Sequence, residues 1–329
     1  MVTATLNKQK KFDVNQGETL LTAAARQHIQ IAYSCQSGRC STCKCKVISG
    51  RTVALVDETG LSADEKKAGW ILSCSRTAID DVAIEGDDLG LNQIPEVKTL
   101  PCRIQDIKNL APNVLQVTLR LPPTAKFAFL PGQYINLIGP NGVRRSYSLA
   151  GTDPNVLELH IRQVPNGIMS EYWFKEAQKN DLLRFQGPLG TFFLRNVAGR
   201  DLVFLATGTG IAPVKAMLEG LASALKNEQP SSISVYWGGR YQVDLYASIQ
   251  ASQEIFRYIP VLSRGDTLWD GAVGYVQNVF LASKPDLTNT TVYACGSSTM
   301  IKSSQDLLIA AGLPGSRFHS DAFVCSASN

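Results

Sequence analysis

The sequence has no long hydrophobic run, no internal repeat and no low-complexity tract. A membrane-spanning helix needs about 18 or more consecutive apolar residues, so no membrane span is expected. The opening MVTATLNKQKK carries no apolar core of the secretion-signal kind, which predicts a cytoplasmic protein. Charge of one sign is also missing: 32 Lys and Arg stand against 28 Asp and Glu, a net +4 spread evenly. Nucleic acid is therefore not an expected partner. The same absences exclude a collagen, a coiled coil, a membrane channel and a small secreted scaffold. What remains is ordinary soluble composition, with 44% apolar and 18% charged residues, too apolar for a disordered chain. A length of 329 residues has room for two or three domains.

Cysteine is where the sequence departs from the ordinary. Of the eight, Cys35, Cys40, Cys43, Cys45 and Cys74 fall in the first 74 residues, leaving Cys102, Cys295 and Cys325 for the rest. Without a sign of export, clustered thiols point to metal or redox chemistry rather than to disulfides. The spacing Cys35-x4-Cys40-x2-Cys43, then a distant Cys74, is that of a plant-type [2Fe–2S] cluster, three ligands on one loop and a fourth far away. Gly38 lets the loop YSCQSGRCSTCKC turn with φ > 0 and aim backbone amides at sulfur. Zinc is the rival reading, although structural zinc usually takes its cysteines as two C-x2-C pairs and Cys74 stands alone. Cys45 alternates with Cys43 and is expected to be packed rather than ligating.

Three blocks follow from the periodicities. The first is β-rich, with short helices over Glu18–His28 and within LSADEKKAG, the latter opened by a Ser62…Glu65 capping box, and strand pieces at Val47–Ile48 and Val53–Val56. The stretch Gly86–Pro101 has no hydrophobic period and two prolines, which places a linker over 91–100. Strict alternation then begins. Val114–Leu121 puts Leu115, Val117, Leu119 and Leu121 on one face, and Leu157–Arg162 turns Leu157, Leu159 and Ile161 inward. Glu158, His160 and Arg162 fall on the opposite face, so His160 is expected at the surface. Such strands predict an antiparallel barrel over roughly 98–196. From Asp201 the pattern becomes βαβα: strands at Leu202–Ala206, Ile233–Trp237, Tyr258–Leu262 and Val292–Ala294, with helices at Val214–Leu225, Leu245–Phe256 and Met300–Ala311. That alternation predicts a parallel sheet covered by helices.

The first βα turn of this last block reads Thr207-Gly208-Thr209-Gly210-Ile211-Ala212-Pro213. Glycines there allow a pyrophosphate to approach backbone amides at a helix N-terminus, and Pro213 suits a first helical turn, where a missing N–H costs nothing. Alone, the glycine pair is a weak signal, being shorter than G-x-G-x-x-G. Three further motifs accompany it: Arg145-Ser146-Tyr147-Ser148, Gly167-Ile168-Met169-Ser170, and Cys295-Gly296 with His319-Ser320-Asp321-Ala322-Phe323 near the end.

With these residues in view, residues 1–90 resemble a plant-type ferredoxin domain and the remainder resembles the ferredoxin–NADP reductase superfamily, in family order. The whole chain is similar to bacterial NAD(P)H-dependent [2Fe–2S]/FAD oxidoreductases. The resemblance implies a β-grasp ferredoxin domain over 1–90, a six-stranded antiparallel FAD-binding β-barrel over 101–197 and a parallel-sheet α/β NAD(P)H-binding domain over 198–329. The segments LPCRIQ, LPPTAKFAFLPGQYINL, RRSYSLA, GPLGTFF and SDAF resemble reductases that partner a CDP-6-deoxy-4-hexulose 3-dehydrase, also called CDP-6-deoxy-3,4-glucoseen reductases. The cluster loop is more similar to reductases of naphthalene-type, Rieske-type ring-hydroxylating dioxygenases.

By this resemblance Cys35, Cys40, Cys43 and Cys74 hold the cluster. Arg145 pairs with a phosphate of FAD, Tyr147 stacks on the isoalloxazine ring, and Ser148 hydrogen-bonds near its reactive edge. The amides of Gly167, Ile168, Met169 and Ser170 hold the flavin pyrophosphate. Phe323 covers the opposite flavin face until nicotinamide displaces it, while Cys295 and Asp321 flank the nicotinamide. Ser148, Cys295, Asp321 and Phe323 are thus the expected catalytic residues. Gly208, Thr209, Gly210, Pro213 and Gly296 are expected at the dinucleotide, with Ser263, Arg264, Tyr275 and Gln277 at its adenosine end. A lysine that plant-type members carry between the Ser263–Arg264 pair and Tyr275 is replaced by Val273, so use of both NADH and NADPH is expected. Electrons would run from NAD(P)H to FAD to the cluster and then to a soluble acceptor protein: an oxygenase, an intermediate ferredoxin or a dehydrase. A stand-alone flavin or quinone reductase is the alternative. A redox sensor would not need the hydride machinery. Arg39, Lys44 and Lys46 around the cluster loop suggest a basic docking fringe. No signal for an oligomer is visible, and a monomer is expected.

Overall fold

The computed structural model describes residues 2–90, 94–223, 228–250 and 255–323. It divides into two compact units, Met1–Gln93 and Ile94–Asn329.

The first unit contains β1 (Val2–Leu6), β2 (Lys10–Val14), α1 (Leu20–Arg26), β3 (Lys44–Ser49), β4 (Thr52–Ala54), α2 (Ala63–Lys67), β5 (Trp70–Leu72), β6 (Arg76–Ala78) and β7 (Val82–Gly86). Five strands form one mixed sheet in the order β2-β1-β7-β3-β5, with β1 and β7 parallel, and β4 pairs with β6 alone. Thr19 caps α1, and Ser62 and Glu65 close the expected capping box on α2. Leu20, Leu21, Ala23 and Ala24 carry α1 onto Phe12, Leu72 and Ile84, which form the core. Asp87 and Leu89, just after β7, hydrogen-bond back to Ala32 and Gln30 outside the sheet.

The second unit begins with a six-stranded antiparallel sheet: β8 (Lys98–Ala111), β9 (Val114–Arg120), β10 (Tyr134–Ile138), β11 (Arg144–Ser148), β12 (Val156–Arg162) and β13 (Leu182–Leu189), in the order β11-β10-β13-β8-β9-β12. A bridge between Leu149 and Leu159 joins the two edges and closes the sheet on itself. Lys98–Leu100, expected in the linker, already pair with β13. Alternation fills the interior as expected: Leu115, Val117 and Leu119 of β9 and Leu157, Leu159 and Ile161 of β12 are all buried around Phe185. A short helix, α3 (Ile168–Glu171), follows β12 and continues as a wider turn over Tyr172–Glu176.

The rest is a fully parallel sheet of β14 (Asp201–Thr207), β15 (Ser232–Gly239), β16 (Phe256–Leu262), β17 (Ala272–Val273), β18 (Thr290–Ser297) and β19 (Phe318–Phe323), ordered β17-β16-β15-β14-β18-β19. Helices α4 (Ile211–Ala222), α5 (Val276–Ala282) and α6 (Ser298–Ala310) accompany it. The chain winds outward from β14 through β17, then returns to the other side of β14 with β18. The strand order therefore reverses beside β14, and ligands of open α/β sheets bind at the carboxyl ends of strands at such a reversal.

One predicted helix is absent. Residues 245–250 of the expected Leu245–Phe256 helix are irregular, and 251–254 lie outside the described residues. Just before Leu245, the Asp244 carboxylate accepts from the N–H groups of Arg240 and Tyr241 at 2.9 and 3.1 Å and closes a short turn. Among the described residues, no helix is long and apolar enough to cross a membrane.

Candidate functional site

In the first unit the four expected ligands are held on two loops. Cys40, Cys43 and Cys74 are buried and Cys35 is half-buried. They stand as two pairs: Cys35 hydrogen-bonds thiol to thiol with Cys40, and Cys43 with Cys74. The partner thiol together with the amides of Ser37 and Arg39 brings Cys35 down to about 5. Cys74 falls to about 7 through Cys43 and the Gly38 amide. Among the described residues, no three His, Cys, Asp or Glu side chains gather round a single point as one metal ion requires. Two thiol pairs suit two irons, each taking two thiolates.

Backbone geometry explains the loop. Gly38 has φ +73°, and a Cβ there would run into the Asp57 carbonyl. Ser41 adopts φ +63° without being glycine, its hydroxyl bonded to the Gly60 carbonyl. Sequence reading missed the clamp behind Cys74. Buried Glu58 accepts from the Leu72 amide at 2.7 Å and pairs with Arg76 at 2.8 Å, fixing both ends of the Leu72–Arg76 turn. Cys45 is wholly buried and its thiol is pushed up to about 12 by burial, as expected of a packed residue. The basic fringe is weaker than expected. Lys44 pairs with Glu65 at 3.0 Å and lies over Trp70, Lys46 lies over the same ring, and Arg39 is half-buried.

In the second unit, Arg145, Tyr147 and Ser148 lie on β11. Ser148 is buried at the strand end, opposite Tyr134. The Trp173 indole N–H donates to the Tyr147 hydroxyl at 3.0 Å and its ring meets Tyr147 edge-on, so the phenol is locked and the ring orientation set. Burial pushes the Tyr147 hydroxyl up to about 12. The Arg145 guanidinium donates to the Arg144 carbonyl, which engages one corner of a forked donor set suited to phosphate. Gly167 caps α3, and the Ser170 hydroxyl accepts from the Val164 amide at 2.9 Å, folding the loop onto the helix start. Ile168 is exposed, while Met169 is buried against Gly139, where no side chain would fit beside its sulfur.

The reversal beside β14 gathers the rest. Gly208–Gly210 form a tight turn after β14, and α4 starts directly behind it with Pro213 in its first turn. A Cβ on Gly210 would strike the Cys295 carbonyl, and one on Gly296 would strike Thr207. These two loops close on each other so tightly that only bare backbone fits. Thr209 is buried in the turn. Cys295 and Asp321 are opposite residues of the β18–β19 pair and both are buried. Burial and the Asp321 charge drive the Cys295 thiol well above its ordinary value, so it stays protonated. Phe323 ends β19 and is 37% exposed.

At the far end of the sheet, Ser263 and Arg264 follow β16 and are exposed. Arg264 reaches the Tyr241 hydroxyl at 3.4 Å, and its amide bonds the Arg240 carbonyl. Arg240 is thus a second exposed cation at this end, which motif spacing did not reveal because it sits on another strand's loop. Tyr275 is 63% exposed. Gln277 is different: it is buried, its amide N–H donating to Ser303 at 3.0 Å while its carbonyl oxygen is left without a protein partner.

His160 corrects the sequence reading. It lies on the outer row of β12 as alternation requires, yet it is buried, because the nucleotide-binding part covers that face. Its ring meets the Glu158 carboxylate at 2.9 Å and the Tyr246 hydroxyl at 3.1 Å.

Comparison with known proteins agrees with this geometry. Residues 4–78 match the 2Fe-2S iron-sulfur cluster binding domain, 101–194 the oxidoreductase FAD-binding domain and 204–306 the oxidoreductase NAD-binding domain. The chain is 42% identical to the CDP-6-deoxy-L-threo-D-glycero-4-hexulose-3-dehydrase reductase of Yersinia pestis over 94% of both chains. The chain belongs to the iron–sulfur flavoprotein reductases. It is an NAD(P)H-dependent oxidoreductase whose cofactors are a [2Fe–2S] cluster and FAD. It is also 31% identical to the reductase component of the naphthalene 1,2-dioxygenase system of Pseudomonas putida, over 93% of this chain and 94% of that one. Among solved structures, the Amycolatopsis cytochrome P450 reductase is 29% identical and superposes with a TM-score of 0.74, covering 98% of this chain and 99% of that one. The expected fold class, β-grasp ferredoxin, antiparallel barrel and parallel α/β domain, and the expected cofactors are therefore those of this family.

Proposed function

We propose that this reductase delivers electrons from NADH or NADPH to a separate acceptor protein, and that the acceptor is a dehydrase acting on a CDP-6-deoxy-4-hexulose. The observation that carries the acceptor class is the 42% identity to the Yersinia pestis reductase, which runs through all three cofactor regions rather than one. Bound FAD accepts the two electrons of a nicotinamide hydride and the cluster passes electrons one at a time, so a two-electron donor is matched to one-electron delivery.

The chain's own residues do the positioning. Arg145 holds a flavin phosphate through its forked donors, and Tyr147, fixed by Trp173, presents its ring to the flavin. Ser148 bonds the flavin's reactive edge, and the backbone of Gly167, Ile168, Met169 and Ser170 receives the pyrophosphate. Gly208, Thr209, Gly210, Pro213 and Gly296 receive the nicotinamide dinucleotide. Cys295 offers a protonated thiol and Asp321 a buried carboxylate beside the nicotinamide, while Phe323 shields the flavin from water and yields when the nicotinamide enters. Ser263, Arg264 and Tyr275 bind the adenosine end, with the free carbonyl oxygen of Gln277 as an acceptor there. Cys35, Cys40, Cys43 and Cys74 ligate the cluster. The domains are 1–90, 98–197 and 198–329, the barrel opening at Lys98 with β8 rather than at 101. The protein works as a cytoplasmic monomer, and its cysteines are free of disulfides among the described residues, as a reducing compartment requires.

The test is reconstitution. Purified protein with NADH is offered a CDP-6-deoxy-4-hexulose 3-dehydrase, a ring-hydroxylating oxygenase, and free FMN or quinone. Turnover of the dehydrase above the others supports the proposal. Faster turnover of the oxygenase transfers the protein to the dioxygenase systems, and reduction of free flavin alone supports the stand-alone reductase. Arg264→Ala, run in parallel, is expected to raise the KM for NADPH about fivefold and leave that for NADH unchanged.

A further inference from the structure

The outer row of β12 reads Glu158, His160, Arg162, a charged row that alternation places away from the barrel core. In the folded protein all three side chains cross to the nucleotide-binding sheet. Glu158 accepts from Lys215 on α4 at 3.3 Å, and the same ammonium bonds the Ala150 carbonyl at 3.0 Å and Glu219 at 2.7 Å. Arg162 faces Asp244 at 3.7 Å, the residue that ties down the Arg240 and Tyr241 amides. Its guanidinium also closes on Gly208, where an added Cβ would lie 2.8 Å from it.

His160 stands between them. Its Nε2–H donates to the ionised Glu158, which leaves Nδ1 as the acceptor for the Tyr246 hydroxyl. The Tyr246 ring meets Trp237 edge-on at 5.1 Å, and the Trp237 indole N–H donates to the Gly208 carbonyl at 3.0 Å. An unbroken set of contacts thus runs Glu158–His160–Tyr246–Trp237–Gly208, from the flavin barrel to the first residue of the dinucleotide turn. Gly208 sits at φ +54°, a conformation glycine adopts readily, and its carbonyl and Cα are where Trp237 and Arg162 close on the turn.

We propose that His160 is a positioning residue for the nicotinamide dinucleotide: through Tyr246 and Trp237 it holds the Gly208 turn in register with the flavin barrel. The inference rests on the reading of Gly208–Gly210 as the dinucleotide site. It assigns a task to a segment, 245–250, that is neither helix nor strand. That segment brings Tyr246 under the barrel strand and against Trp237.

The test uses the holoenzyme and four variants, with NADH as donor and ferricyanide as acceptor. Tyr246→Phe keeps the ring on Trp237 and removes only the hydroxyl. His160→Leu removes both polar contacts, whereas His160→Asn keeps an acceptor where Nδ1 stood. Tyr246→Phe and His160→Leu are each expected to raise the KM for NADH about tenfold with kcat within about twofold and FAD content unchanged. The double variant is expected to be no worse than either single one, since both cut the same contact. His160→Asn is expected to restore most of the affinity. A wild-type-like KM in Tyr246→Phe and His160→Leu, with only FAD content or thermal stability lowered, would make the contact merely structural and overturn the proposal. So would additive losses in the double variant, or His160→Asn as impaired as His160→Leu. If wild-type protein with a full complement of FAD gave no NADH-dependent reduction of ferricyanide, the reading of the dinucleotide site itself would fail instead.

Discussion

The cluster loops and the Gly208–Gly210 turn, the two cofactor sites proposed above, are built from opposite materials. The cluster loop places three side-chain ligands within nine consecutive residues, Cys35 to Cys43, and brings in a single distant partner, Cys74. The nucleotide turn uses almost no side chain. It is a close backbone approach of Gly210 to the Cys295 carbonyl and of Gly296 to Thr207, segments that meet only because β14 and β18 are neighbours in the sheet. Side-chain ligation is local and leaves a mark in the spacing of a few residue types. A backbone cradle is tertiary, and its mark is only the glycines that nothing else could replace.

That contrast can be broken at its strongest point first. Cys74→Ser is expected to abolish the cluster completely, with iron and visible charge-transfer bands lost, while FAD content and NADH–ferricyanide activity persist. Cys45→Ser, far closer in sequence to the loop than Cys74, is expected to keep the full iron content, because its thiol, within β3, is turned onto the Cys43 carbonyl. Parallel loss of iron in both variants, measured by metal analysis, would show that the loop does not discriminate among its thiols.

At the backbone site the equivalent cut is Gly210→Ala. The added methyl runs into the Cys295 carbonyl, main chain that cannot swing aside as a long side chain would. The KM for NADH is expected to rise more than about tenfold, with the cluster's absorption unchanged. A steady-state titration that finds the KM unaltered would remove this turn from the dinucleotide site.

The smallest effect concerns the seam between barrel and parallel sheet. Burial works against ionised Glu158, but the hydrogen bonds from His160 and Gln116 and the Lys215 charge outweigh it and hold the carboxyl at about 2. A carboxyl depressed in the folded state stabilises it fully above the unfolded value near 4.5, and that contribution is lost as pH falls toward 2. From the size of the shift the loss is roughly 3 kcal/mol at most, and about half of that once solvent screening of this partly exposed group is counted. Urea unfolding between about pH 6 and about pH 3 is expected to show this acid-dependent drop in the wild type and a flatter dependence in Glu158→Gln. Identical slopes would mean that the Glu158 charge contributes nothing to folding.

The same contrast explains what was legible. Cysteine spacing located the cluster, and strand alternation correctly sorted Leu157, Leu159 and Ile161 into the barrel core. Alternation also put His160 on the outer face, which is correct, but it cannot say that a second sheet covers that face. The helix expected from Leu245 is absent where Tyr246 packs against Trp237 and His160, contacts remote in sequence. Gln277 matched a motif position, yet its burial against Ser303 depends on how α5 meets α6. Arg240 and the Glu58–Arg76 clamp escaped for the same reason: each acts on a segment of chain it does not belong to.

The central claim is an electron path from nicotinamide through flavin to a [2Fe–2S] cluster within one chain. An anaerobic titration with NADH, following flavin bleaching optically and the cluster by low-temperature EPR, tests it most directly. Bleaching accompanied by the signal of a reduced [2Fe–2S] centre is the predicted result. Bleaching without that signal in protein that contains its full iron would contradict the account.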